Sequence, residues 1–194
     1  MSLYGDAAVD RALDPRALRA LAHPRRTALL GLLRREGQLT ATQAAALLPG
    51  ESSGSCSYHL RQLAKYGLVE EAAGGTGRQR PWRATALSTS WPDRPETPEL
   101  AAAATEFELF VAESQFKALT RWILGRHGEP IEWQGAWEFG DSLLYLTPNE
   151  VEELRDDLQR LGERYFERLA DPSLRPEGAR PVTLLRMAFP RTDE

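Results

Sequence analysis

The chain has 194 residues, 42% of them hydrophobic and 27% charged, enough for one generous domain or two small ones with a core that needs no disulfide or metal staple. A single cysteine, Cys56, excludes an internal disulfide framework, and no apolar run reaches the roughly 18 residues needed to span a bilayer. The first residues, Met1 to Asp6, lack the basic-then-apolar order of a secretory signal, so a soluble, cytoplasmic protein without membrane partners is expected. The net charge of −4 conceals two unlike halves. Residues 1–87 carry 12 basic against 7 acidic side chains, a net of +5, while residues 88–194 carry 12 against 21, a net of −9. A basic half joined to an acidic half suits a nucleic-acid reader with a separate partner domain.

In chain order, Asp14 caps a first helix with Pro15 at its first position, and His23-Pro24 interrupts it, because a residue before proline avoids the helical region. Pro24 opens a second helix carrying Leu29, Leu32 and Leu33 until Gly37 stops it. Thr40 and Gln43 form a capping box for a short third helix, whose buried side is read as Ala44, Ala45, Leu47 and Leu48. A fourth helix starts at Ser52 or Ser53 and runs to about Tyr66, closed by Gly67. Cys56, Leu60 and Leu63 share one face of it, and Ser55, Tyr58, Arg61, Gln62 and Lys65 form a polar row opposite. Residues 68–72 read as a strand, Gly74 to Gly77 as a turn, and Arg78 to Thr85 as the returning strand.

Residues 88–98, with Pro92, Pro95 and Pro98, read as a linker. A long helix over residues 99–125 follows, apolar on more than one side, and such a helix must be buried by several neighbours. One such neighbour is the same helix of a second subunit, which makes Leu100, Phe107, Phe110, Val111, Leu119 and Trp122 the candidate dimerisation residues. Residues 131–146 alternate loosely, suggesting two short strands. Thr147, Pro148 and Glu150 start a helix running to about Ala170, and residues 181–189 read as a final strand. The fold class expected is mainly α with a small β component (α+β): a winged helix-turn-helix domain at 1–87, the linker, and a long helix plus a small α+β domain at 99–194.

Helix, turn, helix and an arginine-tipped Gly-rich hairpin make an arrangement suited to double-stranded DNA. A helix fits the major groove, where each base pair presents its own donor and acceptor pattern. Short side chains at the N-terminal end let the helix approach base edges, which Ser53, Ser55 and Ser57 provide, with Tyr58, Arg61 and Gln62 adding reach. Thr40 and Thr42 stand where a hydroxyl or amide bonds phosphate, and Arg78, Arg80 and Arg83 where a wing lies along the backbone or in the minor groove.

The segments from Leu18 to Leu30 and from Ser57 to Val69 resemble the opening and the recognition helix of ArsR-type bacterial transcriptional regulators, over about residues 14–86. The resemblance implies a homodimeric winged-helix repressor that binds an imperfect palindrome and is released by an effector, here unidentified. Its recognition-helix contacts fall on Ser53, Ser55, Ser57, Tyr58 and Arg61, and its wing contacts on Arg78 and Arg80. The chain departs from the metal-sensing members: the region of their thiolate motif, Ala44 to Leu48, has no cysteine, and His23, His59 and His127 are scattered. No metal and no cofactor are therefore expected.

Plainer readings stand beside these. Cys56 reads as core rather than as a redox sensor, since it shares a face with Leu60 and Leu63. His59 either contacts phosphate or packs at the helix flank, and His23 reads as a capping or packing residue. Trp122, Trp133, Trp137, Phe139 and Tyr145 either line a small-molecule pocket or serve core and interface. No nucleophile elbow, phosphate loop or His-carboxylate spacing marks an enzyme. The alternatives to a DNA-binding regulator are a winged-helix protein-interaction module and a small-molecule-binding protein whose C-terminal domain carries the main activity.

Overall fold

The computed structural model describes residues 9–11, 14–75, 80–92 and 94–191. The chain forms two compact units, residues 1–114 and 115–194, so the division falls inside the long helix rather than at the expected linker. The fold is α+β, mostly helical, with a small antiparallel sheet in the first unit.

In the first unit α1 spans Pro15–Leu21 and α2 spans Pro24–Glu36. The Asp14 carboxylate accepts the Arg16 N–H at 2.8 Å to start α1, and His23 Nδ1 accepts the Arg25 N–H at 3.3 Å to start α2. Each cap satisfies a backbone donor that the first helical turn leaves without a partner. Gly37, at φ +80°, ends α2 in a conformation that only glycine adopts cheaply. α3 (Ala41–Leu47) carries the expected capping box: Thr40 Oγ1 accepts the Gln43 N–H at 3.2 Å while Gln43 Oε1 accepts the Thr40 N–H at 2.8 Å. α4 spans Ser53–Ala64, capped by Ser52, whose hydroxyl accepts the Ser55 N–H at 3.1 Å.

Leu18 and Leu21 of α1, Leu29, Leu30, Leu32 and Leu33 of α2, and Cys56, Leu60 and Leu63 of α4 form one apolar core with Ala44, Val69 and Trp82. On α3 the expected buried side narrows. Ala44 is buried, Ala45 and Leu48 are half-buried, and Leu47 is exposed, because a helix of seven residues turns only one narrow strip toward its neighbours.

The hairpin is β3 (Val69–Glu71) against β4 (Pro81–Ala84), antiparallel, with Val69 opposite Ala84, Glu70 opposite Arg83 and Glu71 opposite Trp82. Its tip, Thr76 to Gln79, includes the expected contact Arg78 and lies outside the described residues. A third strand that the sequence reading missed, β2 (Leu39–Thr40), pairs with the other edge of β4. Two residues carry no legible period, so the strand exists only through its partner. The expected linker is likewise ordered in part: β5 (Ser88–Ser90) pairs in parallel with β1 (Val9–Arg11). Arg34 secures this segment from α2, with Nε donating to the Ala86 carbonyl at 2.9 Å and Nη2 to the Thr89 hydroxyl at 2.8 Å.

The long helix α5 spans Pro98–Gly125. Its first turns do not wait for a second subunit. Leu100, Ala103, Ala104 and Phe107 are buried in the core of the first unit, with Phe110 and Val111 packed against it. Two of the six candidate dimerisation residues, Leu100 and Phe107, are thus buried within the chain's own core. Trp91 packs edge-on against Phe107, with ring centroids 5.0 Å apart.

The second unit holds helices without described strands. α6 (Ile131–Gln134) replaces the first of the two strands expected there, and the rest of the stretch to Leu146 is irregular and largely exposed. Residues 181–189 are also irregular and exposed, although they read as a strand. A strand is stabilised by pairing, and alternation alone does not supply a partner for its amides. α7 (Pro148–Glu163) begins with its expected capping box, which holds the exposed Glu150 carboxyl below its ordinary range through hydrogen bonds from the Thr147 amide and hydroxyl. The expected helix to Ala170 is interrupted: the Phe166 ring lies over buried Gly162, where a Cβ would meet it at 3.1 Å, and α8 (Glu167–Ala170) follows.

Candidate nucleic-acid interface

α3 packs against α4, and α2 closes on α4 from the side, with the apolar face of α4 turned into the core. Outward from that face, Ser53, Tyr58, Arg61 and Lys65 are exposed, while Ser57 and Gln62 are half-buried. Arg61 lies back along its own helix, with Nε donating to the Ser57 carbonyl at 3.1 Å. That contact is exposed and exchanges readily for another acceptor. Of the polar row read from helical spacing, Tyr58, Arg61 and Lys65 are exposed and Ser55 and Gln62 half-buried.

The expected serine contacts divide. Ser53 opens the helix on the exposed side. Ser55 is half-buried and donates its hydroxyl proton to Glu51 Oε2 at 2.7 Å. Glu51 Oε1 in turn lies 2.8 Å from Arg25 Nε, so Arg25, Glu51 and Ser55 form a chain binding α2 to the first turn of α4. A carboxylate near a helix N-terminus is favourable to its dipole. The sequence reading missed this chain, since 26 positions separate Arg25 from Glu51 and no periodicity connects them. Of the α3 pair, Thr40 is half-buried with its hydroxyl engaged in the capping box, and Thr42 is exposed.

His59, left between phosphate contact and flank packing, belongs to the packed side. It is buried, its ring lies 4.9 Å from that of His23 and 5.1 Å from that of Tyr58, and its Nδ1 has no hydrogen-bond partner. Burial, reinforced by Arg26 and Arg25 and opposed by Glu51, lowers its pKa from the ordinary histidine value. Cys56 is fully buried, and burial together with Glu51 raises its thiol pKa, which keeps it protonated and unreactive.

On the hairpin, the exposed arginines Arg80 and Arg83 are both engaged. Arg83 Nη2 lies 2.7 Å from Glu70 Oε1, and Arg80 Nη1 lies 2.8 Å from Glu71 Oε2. The observed hairpin register sets Glu70 directly opposite Arg83.

Within the second unit the aromatic residues are distributed among separate contacts. Arg126 lies over the Trp137 ring at 4.4 Å, Trp137 stacks on Phe139 at 6.0 Å, and Arg180 lies over Trp133 at 5.1 Å while bridging Glu129 at 2.9 Å. Tyr145 is 93% exposed. Trp122 is partly buried, and its Nε1 lacks a hydrogen-bond partner among the described residues. Among the described residues no group of three or more His, Cys, Asp or Glu side chains is placed to hold a metal ion, and no helix is long and apolar enough to cross a membrane.

No curated protein matches the chain. Residues 21–72, from the end of α1 through β3, match the model of a family described as a helix-turn-helix domain, so the segment that holds α3 and α4 is similar to DNA-binding modules of regulatory proteins.

Proposed function

We propose that the protein is a sequence-specific DNA-binding regulator of transcription, a homodimeric repressor of the ArsR type acting at a pseudo-palindromic operator. The observation that carries this reading is the asymmetry of α4: it buries Cys56, His59, Leu60 and Leu63 and turns Ser53, Tyr58 and Arg61 outward beside an arginine-bearing hairpin. Ser53, Ser57, Tyr58, Arg61 and Gln62 read base edges and nearby phosphates in the major groove. Thr40, Thr42, Arg78, Arg80 and Arg83 touch the phosphate backbone. Ser55 acts through Glu51 to hold the helix start rather than as a contact of its own. The repressor role rests on the likeness of the Leu18–Leu30 and Ser57–Val69 segments to ArsR-type regulators.

Dimerisation belongs to the outward residues of α5. Leu109, Phe116 and Leu124 are exposed and recur at i, i+7 and i+15, next to the half-buried Leu119 and Trp122. A two-fold dimer sets its recognition helices roughly 34–36 Å apart, one turn of duplex.

Fluorescence anisotropy with a duplex from the gene's own upstream region, against a scrambled duplex, tests this. Binding to the first is expected to exceed the second by about a thousandfold or more. Arg61→Ala is expected to weaken it at least about tenfold with the circular dichroism spectrum unchanged. Equal binding of both duplexes, or an Arg61→Ala variant that binds like the parent, overturns the reading for that operator and that helix.

A further inference from the structure

The hairpin proposed to present arginines to DNA also carries two carboxylates, Glu70 and Glu71, one for each of its described arginines. Glu70 stands opposite Arg83 across the β3–β4 ladder, with Oε1 accepting from Arg83 Nε at 2.8 Å and lying 2.7 Å from Nη2, a two-pronged grip. Glu71, one residue on, turns to the other face of the hairpin, where its Oε2 accepts from Arg80 Nη1 at 2.8 Å. Both described wing arginines are thus neutralised inside the wing, one on each face. All four side chains are solvent-exposed, where such pairs are weak and exchange partners readily. A phosphate that approaches Arg80 or Arg83 must displace a carboxylate and then bear its repulsion.

We propose that Glu70 and Glu71 are specificity-setting residues: as internal counterions of Arg83 and Arg80, they hold the wing back from DNA that α4 cannot read. This rests on the DNA-binding reading above and deepens it. Non-specific binding is almost wholly electrostatic and scales with the number of phosphates neutralised. Wing arginines that begin paired add little to it, so the scrambled complex loses what Arg80 and Arg83 would contribute. At an operator, base contacts from α4 hold the protein in register long enough for the arginines to change partners. The carboxylates therefore cost more on wrong DNA than on right DNA, which is how unfavourable groups create discrimination.

The test compares the parent with the Glu70→Gln/Glu71→Gln variant, on operator and scrambled duplexes across a salt series. A control variant, Glu152→Gln/Glu153→Gln on α7, removes the same charge from exposed positions outside the wing. The wing variant is expected to bind the scrambled duplex about tenfold tighter, to gain close to two in the slope of log affinity against log salt, and to gain less on the operator. The control is expected to stay within about twofold of the parent. Adding Arg80→Ala and Arg83→Ala to the wing variant is expected to abolish the gain. A scrambled-duplex affinity and slope unchanged in the wing variant, or changed equally in the control, overturns the inference while operator binding still upholds the DNA reading. Absence of binding to any duplex by any of the proteins overturns both.

Discussion

The imidazoles of His23 and His59 lie with ring centroids 4.9 Å apart and planes tilted by 41°, joining the start of α2 to the buried side of α4. His23 is already committed through Nδ1 to the Arg25 amide, and His59 Nδ1 has no hydrogen-bond partner among the described residues. Arg25 and Arg26 of α2 face the pair with positive charge, against which only Glu51 works in favour of a proton on His59.

Both histidine pKa values are lowered in the fold, chiefly by burial. The native state therefore holds fewer protons than the unfolded chain once the pH drops to the ordinary histidine value of about 6.5. Stability is full above that value and declines as the pH falls through it toward the depressed native values. Urea midpoints at pH 7.5 and pH 5.5 check this, with a clear drop expected for the parent. His59→Gln is expected to shrink that drop. A midpoint equally pH-dependent in His59→Gln removes the histidine from the account.

Leu60 and Leu47 carry the same side chain in adjacent helices and are expected to behave oppositely. Leu60 is 0% exposed amid the core, so Leu60→Ala leaves a cavity and is expected to cost about 2–5 kcal/mol. Leu47 is 53% exposed, and Leu47→Ala is expected to stay within about 0.5 kcal/mol of the parent. Chemical denaturation of both variants at neutral pH provides the comparison. A large loss at Leu47 with little at Leu60 would reverse the assignment of faces.

Along α5, stability and association are expected to separate by residue. Phe107 is 5% exposed in the first unit, so Phe107→Ala is expected to cost about 3–5 kcal/mol of folding stability. Leu109 and Phe116 are exposed, and Leu109→Glu with Phe116→Glu is expected to leave thermal stability of the monomer nearly intact while abolishing the dimer in sedimentation velocity. A variant that remains dimeric places the association surface elsewhere.

The local signals of the first half were legible because they are short-range. Asp14, Pro24, the Thr40–Gln43 box and Ser52 act on backbone groups within three residues, and the Cys56, Leu60, Leu63 spacing defines a face whatever packs on it. These determine that α1 to α4 exist, where each begins and which side of α4 turns inward. They also left the outward row of α4 in view, the part of the candidate interface that reading alone delivered. What they do not carry is the pairing of distant groups. β2 and the β1–β5 pair have no period to read, and Leu100 and Phe107 are apolar whether they meet their own core or another subunit. Arg25 with Glu51, and Arg80 with Glu71, become partners only when the chain brings them together. In the second half, the largely apolar run over residues 181–189 reads as a strand, yet a strand is a relation between two segments, and among the described residues none stands beside it. Side-chain pattern thus determined the elements held by their own backbone, and tertiary structure decided every feature that needs a second partner far along the chain.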